Sequence, residues 1–313
     1  MAITERRPLG ALLLLACLSL LWGLNWPAMK VALGEMPVLP FRALCLLVSG
    51  PILLGLAALR GGIALRPQEI PALLLAAFFN VTLWHVLTGL GVSLMPAGRA
   101  SIIAYTMPAW ATLLGAAVLG ERLTKARLAG LALGMLGIGV LVLPNLPSIL
   151  RAPTGALAMV LAAMSWAAGS IVTKRRRWSG STLALTGWQV CLGGLPIAIG
   201  ATILGPRPDL GRIDGAGFAA IAFIIVFGML IGQWIWFVVL NRLPVAVASI
   251  GTLAIPIVGL LSSALLLREP IGPSELAALG LVVSALLLVT LPRGRPVEGG
   301  VAPSLAIRQP PWR

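Results

Sequence analysis

Long, uninterrupted apolar runs dominate this sequence. They do not alternate with polar residues at every second position, which favours helices over barrel strands. About 20 apolar residues, each rising about 1.5 Å, cross the hydrocarbon core of a bilayer. Division of the chain at charges, prolines and glycines predicts ten spans, near residues 9–32, 38–59, 70–92, 97–119, 126–144, 154–173, 182–204, 215–240, 245–267 and 274–291.

Composition agrees with a chain whose main solvent is lipid. Hydrophobic residues make up 59% of the 313 positions and charged residues only 10%, whereas soluble domains carry roughly 25% charged residues. The net charge of +14 does not indicate a nucleic-acid partner, because the basic residues lie singly on short connectors. The cluster Lys174–Arg177 directly follows an apolar run, as cytoplasmic anchors do. We expect the lipid bilayer, and no nucleic acid, as a partner.

The distribution of positive charge predicts the orientation. With the N-terminus in the cytoplasm, most of the 23 lysines and arginines fall on the cytoplasmic side, as the positive-inside rule requires. An even number of spans returns the C-terminus to that side, and residues 296–313 read as a disordered cytoplasmic tail. We expect a multi-pass protein of the bacterial inner (plasma) membrane with both termini cytoplasmic.

Two parts of the chain share a pattern of residues. The matched positions lie 148 residues apart in the fourth and ninth spans and 144 apart in the first and sixth: Pro96, Ser101, Pro108 and Glu121 with Pro244, Ser249, Pro256 and Glu269, and Trp22 and Lys30 with Trp166 and Lys174. Residues 1–150 and 151–295 are therefore predicted to be two five-helix repeats. Because five is odd, the second repeat is inverted, an arrangement that transporters use to hold substrate near the midplane.

The motif that carries this pattern resembles a known family. The stretch from Pro96 to Gly130, P-A-x-R-A-S-x(6)-P-x(11)-G-E-R-L-T-x(5)-G, its weaker echo from Pro244 to Pro270, and WGLNWPAMK near the N-terminus are similar to the EamA family of the drug/metabolite transporter superfamily. The resemblance implies ten helices around a central cavity lined by helices 1, 3, 4, 6, 8 and 9, cytoplasmic termini, and export of amino acids, with aromatic-amino-acid exporters most similar. The echo departs from the motif in having Arg268 in place of glycine.

Polar and aromatic side chains inside the spans are the candidate substrate-binding residues, because intramembrane polar groups are functional by default. His85 is the only histidine and lies near mid-span, where an imidazole can donate to a substrate carboxylate. Aromatic walls with sparse polar groups suit zwitterions with apolar side chains. The full set is Trp22, Asn25, Trp84, His85, Thr88, Ser101, Tyr105, Trp166, Gln233 and Ser249. Each has a structural alternative, namely a kink, a packed ring or a bond between helices.

Charged residues at the span ends are expected to be structural. Arg42 and Arg99 lie near the outer ends of their spans and are expected to snorkel to the surface, with attraction of an anionic group as the alternative. Glu121 and Glu269 are expected to pair with arginines or to accept amides from the next helix start.

The sequence lacks the residues that several classes of function require. No Gly-Lys pair forms a phosphate-binding loop, and a single histidine excludes an HExxH metal site. We therefore predict no catalytic residue, no metal and no cofactor, and a secondary transporter of amino acids or related small metabolites, as monomer or homodimer. The alternatives are a carrier of phosphorylated or nucleotide-linked sugars, which needs paired cations, and an intramembrane enzyme that uses His85 or Tyr105.

Overall fold

The computed structural model describes residues 7–119, 125–143, 153–206, 208–235 and 254–290, and every regular element within them is helical. Two short 3-10 turns, Pro67–Glu69 and Leu210–Arg212, lie in connectors. The α-helices are α1 (Arg7–Glu35), α2 (Val38–Leu59), α3 (Ile70–Ala77), α4 (Trp84–Leu94), α5 (Ala97–Ala104), α6 (Met107–Leu119), α7 (Lys125–Val142), α8 (Thr154–Lys174), α9 (Thr182–Ile203), α10 (Gly215–Phe223), α11 (Ala254–Leu267) and α12 (Pro273–Thr290).

The helices are apolar and long enough to make a multi-pass membrane protein. Within the described ranges, six helical stretches have the length and composition to cross a bilayer: Leu13–Glu35, Val38–Leu59, Pro67–Leu94, Thr154–Lys174, Thr182–Ile203 and Gly215–Ile235. Their outer surface carries large apolar side chains such as Leu59 and Ile203, whereas Ser49 and Thr88 are buried. A lipid-facing exterior and small polar residues between helices are typical of membrane proteins.

The predicted fourth span is interrupted rather than continuous. Helix α5 ends at Ala104, and α6 begins at Met107 after a turn at Tyr105 and Thr106. Pro108 accounts for the position of the break, because a proline has no amide to donate to the carbonyl four residues earlier and its ring clashes with that carbonyl. That carbonyl belongs to Ala104, the last residue of α5.

Two spans contain a π-helical segment. The first, Phe78–Leu83, joins α3 to α4 without a break, and the second, Ile224–Ile231, continues α10. π-Helical turns are rare inside helices and occur frequently at functional sites. Each lies within an apolar helical stretch that is long enough to cross a bilayer.

Helices from the first part of the chain pack mainly on helices from the second. The helix α2 packs on α9 and α7 on α12, while α1 contacts α10 and α11, and α8 contacts α4 and α6. The largest buried apolar cluster includes Trp26 and Met29 of α1, Tyr105 after α5 and Ile255 of α11. The core therefore lies between the two parts of the chain rather than within either.

Candidate functional site

Arg42 is the charged centre of the described interior. It is the fifth residue of α2 and is only 3% exposed. Its Nε donates to the backbone oxygen of His85 at 3.0 Å, and its Nη2 donates to Thr88 Oγ1 at 2.9 Å and contacts Met29 Sδ at 2.8 Å. The guanidinium therefore lies between α1, α2 and α4, and each of these partners is neutral.

This placement corrects the expectation that Arg42 snorkels to the membrane surface. Thr88 and His85 precede the end of α4 by six and nine residues, or about 9 and 14 Å of helix axis. The hydrocarbon core is about 30 Å thick, so the side chain points toward its middle. An arginine at the bilayer centre costs roughly 2.5–3.5 kcal/mol on insertion scales. The sequence shows only that Arg42 lies four residues into an apolar run, and this does not reveal the direction in which its side chain points.

His85 and Thr88 are brought together around this guanidinium. The Nδ1 of His85 lies 2.9 Å from the Val81 carbonyl, so in the neutral ring Nδ1 carries the proton and Nε2 is an acceptor. This differs from the expectation that the imidazole donates to a carboxylate. Thr88 Oγ1 donates to the Trp84 carbonyl at 2.7 Å while it accepts from Arg42. The threonine therefore fixes the guanidinium on α4.

Trp22 and Asn25 face the second π-helical segment. The indole Nε1 of Trp22 donates to the Gly228 carbonyl at 3.0 Å. A Cβ placed on Gly228 would lie 2.6 Å from Asn25 Oδ1, so a side chain at this position would displace the Asn25 amide. Asn25 Oδ1 is enclosed and has no hydrogen-bond partner in the described part of the chain. A buried carbonyl oxygen without a donor is an acceptor held ready for one.

The first π-helical segment makes the corresponding contact with α8. A Cβ on Gly169 would lie 2.0 Å from Asn80 Oδ1, which also lacks a donor among the described residues. Asn80 Nδ2 donates to Gln189 Oε1 of α9 at 2.9 Å. Gln189 was not among the predicted site residues. Its only signal in the sequence is a polar side chain within an apolar run.

The aromatic candidates line the same interface. The rings of Trp84 on α4 and Trp166 on α8 are 4.9 Å apart, which joins the two parts of the chain. Tyr105 is buried in the main apolar cluster, against which Trp22 and Trp84 also pack. Ser101 Oγ donates to the Gly98 carbonyl and lies close to Gly259 of α11. It therefore has a structural partner as well as its predicted role.

Two predicted site residues contribute less to the described interior. Gln233 follows the second π-helical segment and is half-buried. Ser249 lies outside the described residues.

Charged residues at one end of the bundle hold helix ends together. Lys30 Nζ donates to the carbonyls of Val92 at 2.7 Å and Met95 at 3.0 Å, which satisfies the C-terminus of α4. Arg99, also expected to snorkel, instead pairs with Glu275 at 2.6 Å.

Glu269 caps a helix start, as expected of a glutamate at this position, although the helix is α5 rather than the next one along the chain. Its two oxygens accept from the amides of Ala97 at 2.7 Å and Gly98 at 3.0 Å. This end of the bundle is therefore closed by bonds between the two parts of the chain.

Together these residues place several polar and aromatic groups in one interior. Within the described residues, the interior contains the Arg42 guanidinium, amide oxygens without a donor, an imidazole nitrogen and a pair of tilted indoles. No group of three or more histidine, cysteine, aspartate or glutamate residues in the described ranges is placed to hold a metal. Groups of these kinds are the ones that small-molecule sites use for hydrogen bonds and ring contacts.

The relatives of this chain are consistent with an interior of this kind. The family described as "EamA-like transporter family" matches the chain twice, over residues 9–143 and 153–291. The chain belongs to the EamA-like transporter family. It is a multi-pass membrane transporter, since this family and its named relatives are transporters.

Relatives of this EamA-like chain come from several bacteria. It is 29% identical to "Uncharacterized transporter YvbV" of Bacillus subtilis, over 88% of this chain and 90% of that one. It is also 29% identical to the "Probable amino-acid metabolite efflux pump" of Salmonella typhimurium, over 85% and 90%. A solved crystal structure covers 90% of this chain and 96% of its own with a TM-score of 0.63 and 21% identity, which shows a shared fold.

Proposed function

We propose that this protein is a secondary transporter that exports amino acids or related small metabolites across the inner membrane by alternating access. In this proposal it has ten transmembrane helices, arranged as two inverted five-helix repeats, residues 1–150 and 151–295, with both termini cytoplasmic. Substrate binds between the repeats. The observation that carries the proposal is the polar and aromatic interior at their interface, centred on Arg42, Thr88 and the Trp84–Trp166 pair.

The packing of the helices supports the inverted arrangement. Under the proposed equivalence, α1 with α11 corresponds to α8 with α6, and α1 with α10 corresponds to α8 with α3. The pairs α2–α9 and α7–α12 each join equivalent helices. A pseudo-two-fold axis in the membrane plane relates contacts in this way. The family model matches the chain twice, over residues 9–143 and 153–291, which is consistent with a division into two repeats.

The substrate class rests on relatives and on the charges of the interior. Two relatives are named as amino-acid metabolite efflux pumps. A single buried guanidinium matches one carboxylate, whereas a phosphorylated sugar calls for paired cations. Arg99, which also lies within a predicted span, is engaged by Glu275. These observations favour amino acids over the sugar-phosphate alternative.

Transport by purified protein tests the proposal. Liposomes loaded with labelled apolar and aromatic amino acids are expected to release them faster with the protein than without it. Excess unlabelled amino acid on the opposite side should accelerate the release, because a carrier exchanges its substrates. Release no faster than from empty liposomes across a broad amino-acid panel would reject the proposed function.

Topology tests the repeats independently of substrate. A tag after residue 150 is expected on the periplasmic face and a tag at the N-terminus in the cytoplasm, since five spans separate them. Protease access in intact spheroplasts distinguishes the two positions. Cleavage of both tags from the same side would contradict the inverted arrangement.

A further inference from the structure

One donor group of the buried Arg42 has no partner. Its Nε and Nη2 are engaged by the His85 carbonyl, Thr88 and Met29, whereas Nη1 makes no hydrogen bond with any residue that the structure describes. The fully enclosed unpartnered side-chain atoms in the described ranges are Asn25 Oδ1, Asn80 Oδ1 and Ser263 Oγ. Nη1 is not among them, so it keeps a small accessible surface although the residue as a whole is only 3% exposed.

We propose that Arg42 Nη1 is a subsite for the carboxylate of the substrate. The proposal rests on the proposed function and assigns the group that recognises one end of the exported molecule. The charge of Arg42 is uncompensated: no carboxylate of the described residues lies within ion-pair distance of it, and none of the nine acidic residues falls in the middle of a predicted span. An arginine kept at this depth without a counter-ion marks a site for an external anion.

The geometry restricts the ligand to one small anionic group. Three fixed bonds from Nε and Nη2 hold the guanidinium plane against α1 and α4. Nη1 is the donor that remains for a planar carboxylate, and an arginine held in place loses little entropy when it binds. The neighbouring His85 Nε2 is an acceptor in the neutral ring and therefore suits a cationic ammonium rather than a second anion. A carboxylate and an ammonium together describe an amino acid.

Binding to the purified protein tests this subsite without requiring transport. The probes are phenylalanine and phenylalaninamide, which keep the ammonium and the ring but differ in the charge of the carboxyl end. Affinity is measured in detergent by quenching of tryptophan fluorescence. Wild-type protein is expected to bind phenylalanine at least about tenfold more tightly than its amide, the scale of one charge-assisted hydrogen bond.

Substitutions of Arg42 are expected to remove this preference selectively. Arg42→Gln keeps an amide donor for the His85 carbonyl but removes the charge, so the two probes should bind with similar affinity, while phenylalaninamide binds within about threefold of wild type. Arg42→Lys should restore part of the preference. The matched control is Arg99→Gln, which removes another arginine that lies within a predicted span and should keep the full preference.

The possible results of these binding measurements test the carboxylate subsite and the proposed transport function separately. If wild-type protein binds both probes equally, or Arg42→Gln keeps the preference, the subsite is wrong while amino-acid transport stands. If Arg42→Gln weakens both probes alike, Arg42 has a purely structural role and the subsite is again wrong. If wild-type protein neither binds nor transports any amino acid, the proposed function fails together with the subsite. If Arg42→Gln does not give a monodisperse protein, the test uses Arg42→Lys. The quantity compared with wild type is again the ratio of the affinity for phenylalanine to the affinity for phenylalaninamide.

Discussion

The bridge from Glu269 to the start of α5 gives a prediction whose size follows from the structure. The two carboxylate oxygens accept hydrogen bonds from the amides of Ala97 and Gly98, and Ala97 is 0% exposed. Glu269→Ala removes both bonds at once. Water cannot replace them at a buried helix start, so the two amides lose their only acceptors.

The expected cost can be bounded from two directions. A hydrogen bond to a charged group contributes about 1.5–3 kcal/mol to stability, and a lost helix N-cap costs about 0.5–2 kcal/mol. The two estimates describe the same contact and are not added, so the cost should be about 1.5–3 kcal/mol. At about 2 °C per kcal/mol for a chain of this length, Tm should fall by about 3–6 °C. Glu269→Gln keeps one neutral acceptor and should lose about half as much.

Thermal stability in detergent measures the effect. Samples heated in steps are passed over a size-exclusion column, and the loss of the monodisperse peak gives Tm. The matched control is Glu35→Ala, because Glu35 is exposed at the end of α1 and makes no hydrogen bond or ion pair with the described residues. It should change Tm by less than about 1 °C. If Glu269→Ala matches Glu35→Ala, the carboxylate does not join the two parts of the chain in the membrane protein.

Three other substitutions test the packing and the site. Arg268 has φ +55°, so Arg268→Gly should relieve a left-handed backbone and raise Tm by about 1–2 °C in the same assay; a lower Tm would contradict this. Gly169→Ala should push Asn80 away and destabilise by about 2–4 kcal/mol, whereas Gly55→Ala, with nothing near its Cβ, should be neutral; equal Tm values for the two would refute the close approach. Trp166→Ala should raise KM for amino-acid efflux about three- to tenfold by removing a ring pair, with Trp166→Phe retaining most of the affinity; an unchanged KM would exclude the ring from the binding site.

Much of the helical framework could be predicted from hydrophobicity alone. The predicted spans 38–59, 154–173 and 182–204 coincide with α2, α8 and α9 to within one residue. They are well defined because helices in lipid must satisfy all their backbone groups internally, so composition and length are enough to locate them. The EamA family resemblance, carried by the motif around Pro96, is likewise confirmed by the family match.

The details of the site depend on properties that a one-dimensional pattern does not contain. The π-helical segments leave the apolar composition unchanged, so nothing in the sequence marks Phe78–Leu83 as different from ordinary helix. The direction of the Arg42 side chain depends on acceptors in α1 and α4 that meet only after folding. Arg268 also shows this limit, because it adopts the left-handed conformation typical of the glycine that it replaces in the motif.

The two asparagines beside the π-helical segments explain how matched repeats can build an unequal interior. At the proposed offsets of 144 and 148 residues, Asn25 corresponds to Gly169 and Asn80 to Gly228. Each asparagine packs on the glycine that occupies the counterpart position of the other, so both interfaces keep one amide and one glycine. This exchange preserves the helix spacing, since either arrangement lets the backbones approach equally closely.

Chemically, however, the two interfaces differ. Asn80 is anchored to Gln189 at 2.9 Å, whereas no hydrogen bond holds Asn25 within the described ranges. An anchored amide holds a helix contact, and an unanchored one remains available to a ligand. We therefore expect the substrate to contact mainly α1, α2 and α4, close to Asn25 and Arg42. We expect the interface around Asn80 to supply the rigid surface against which the first repeat moves.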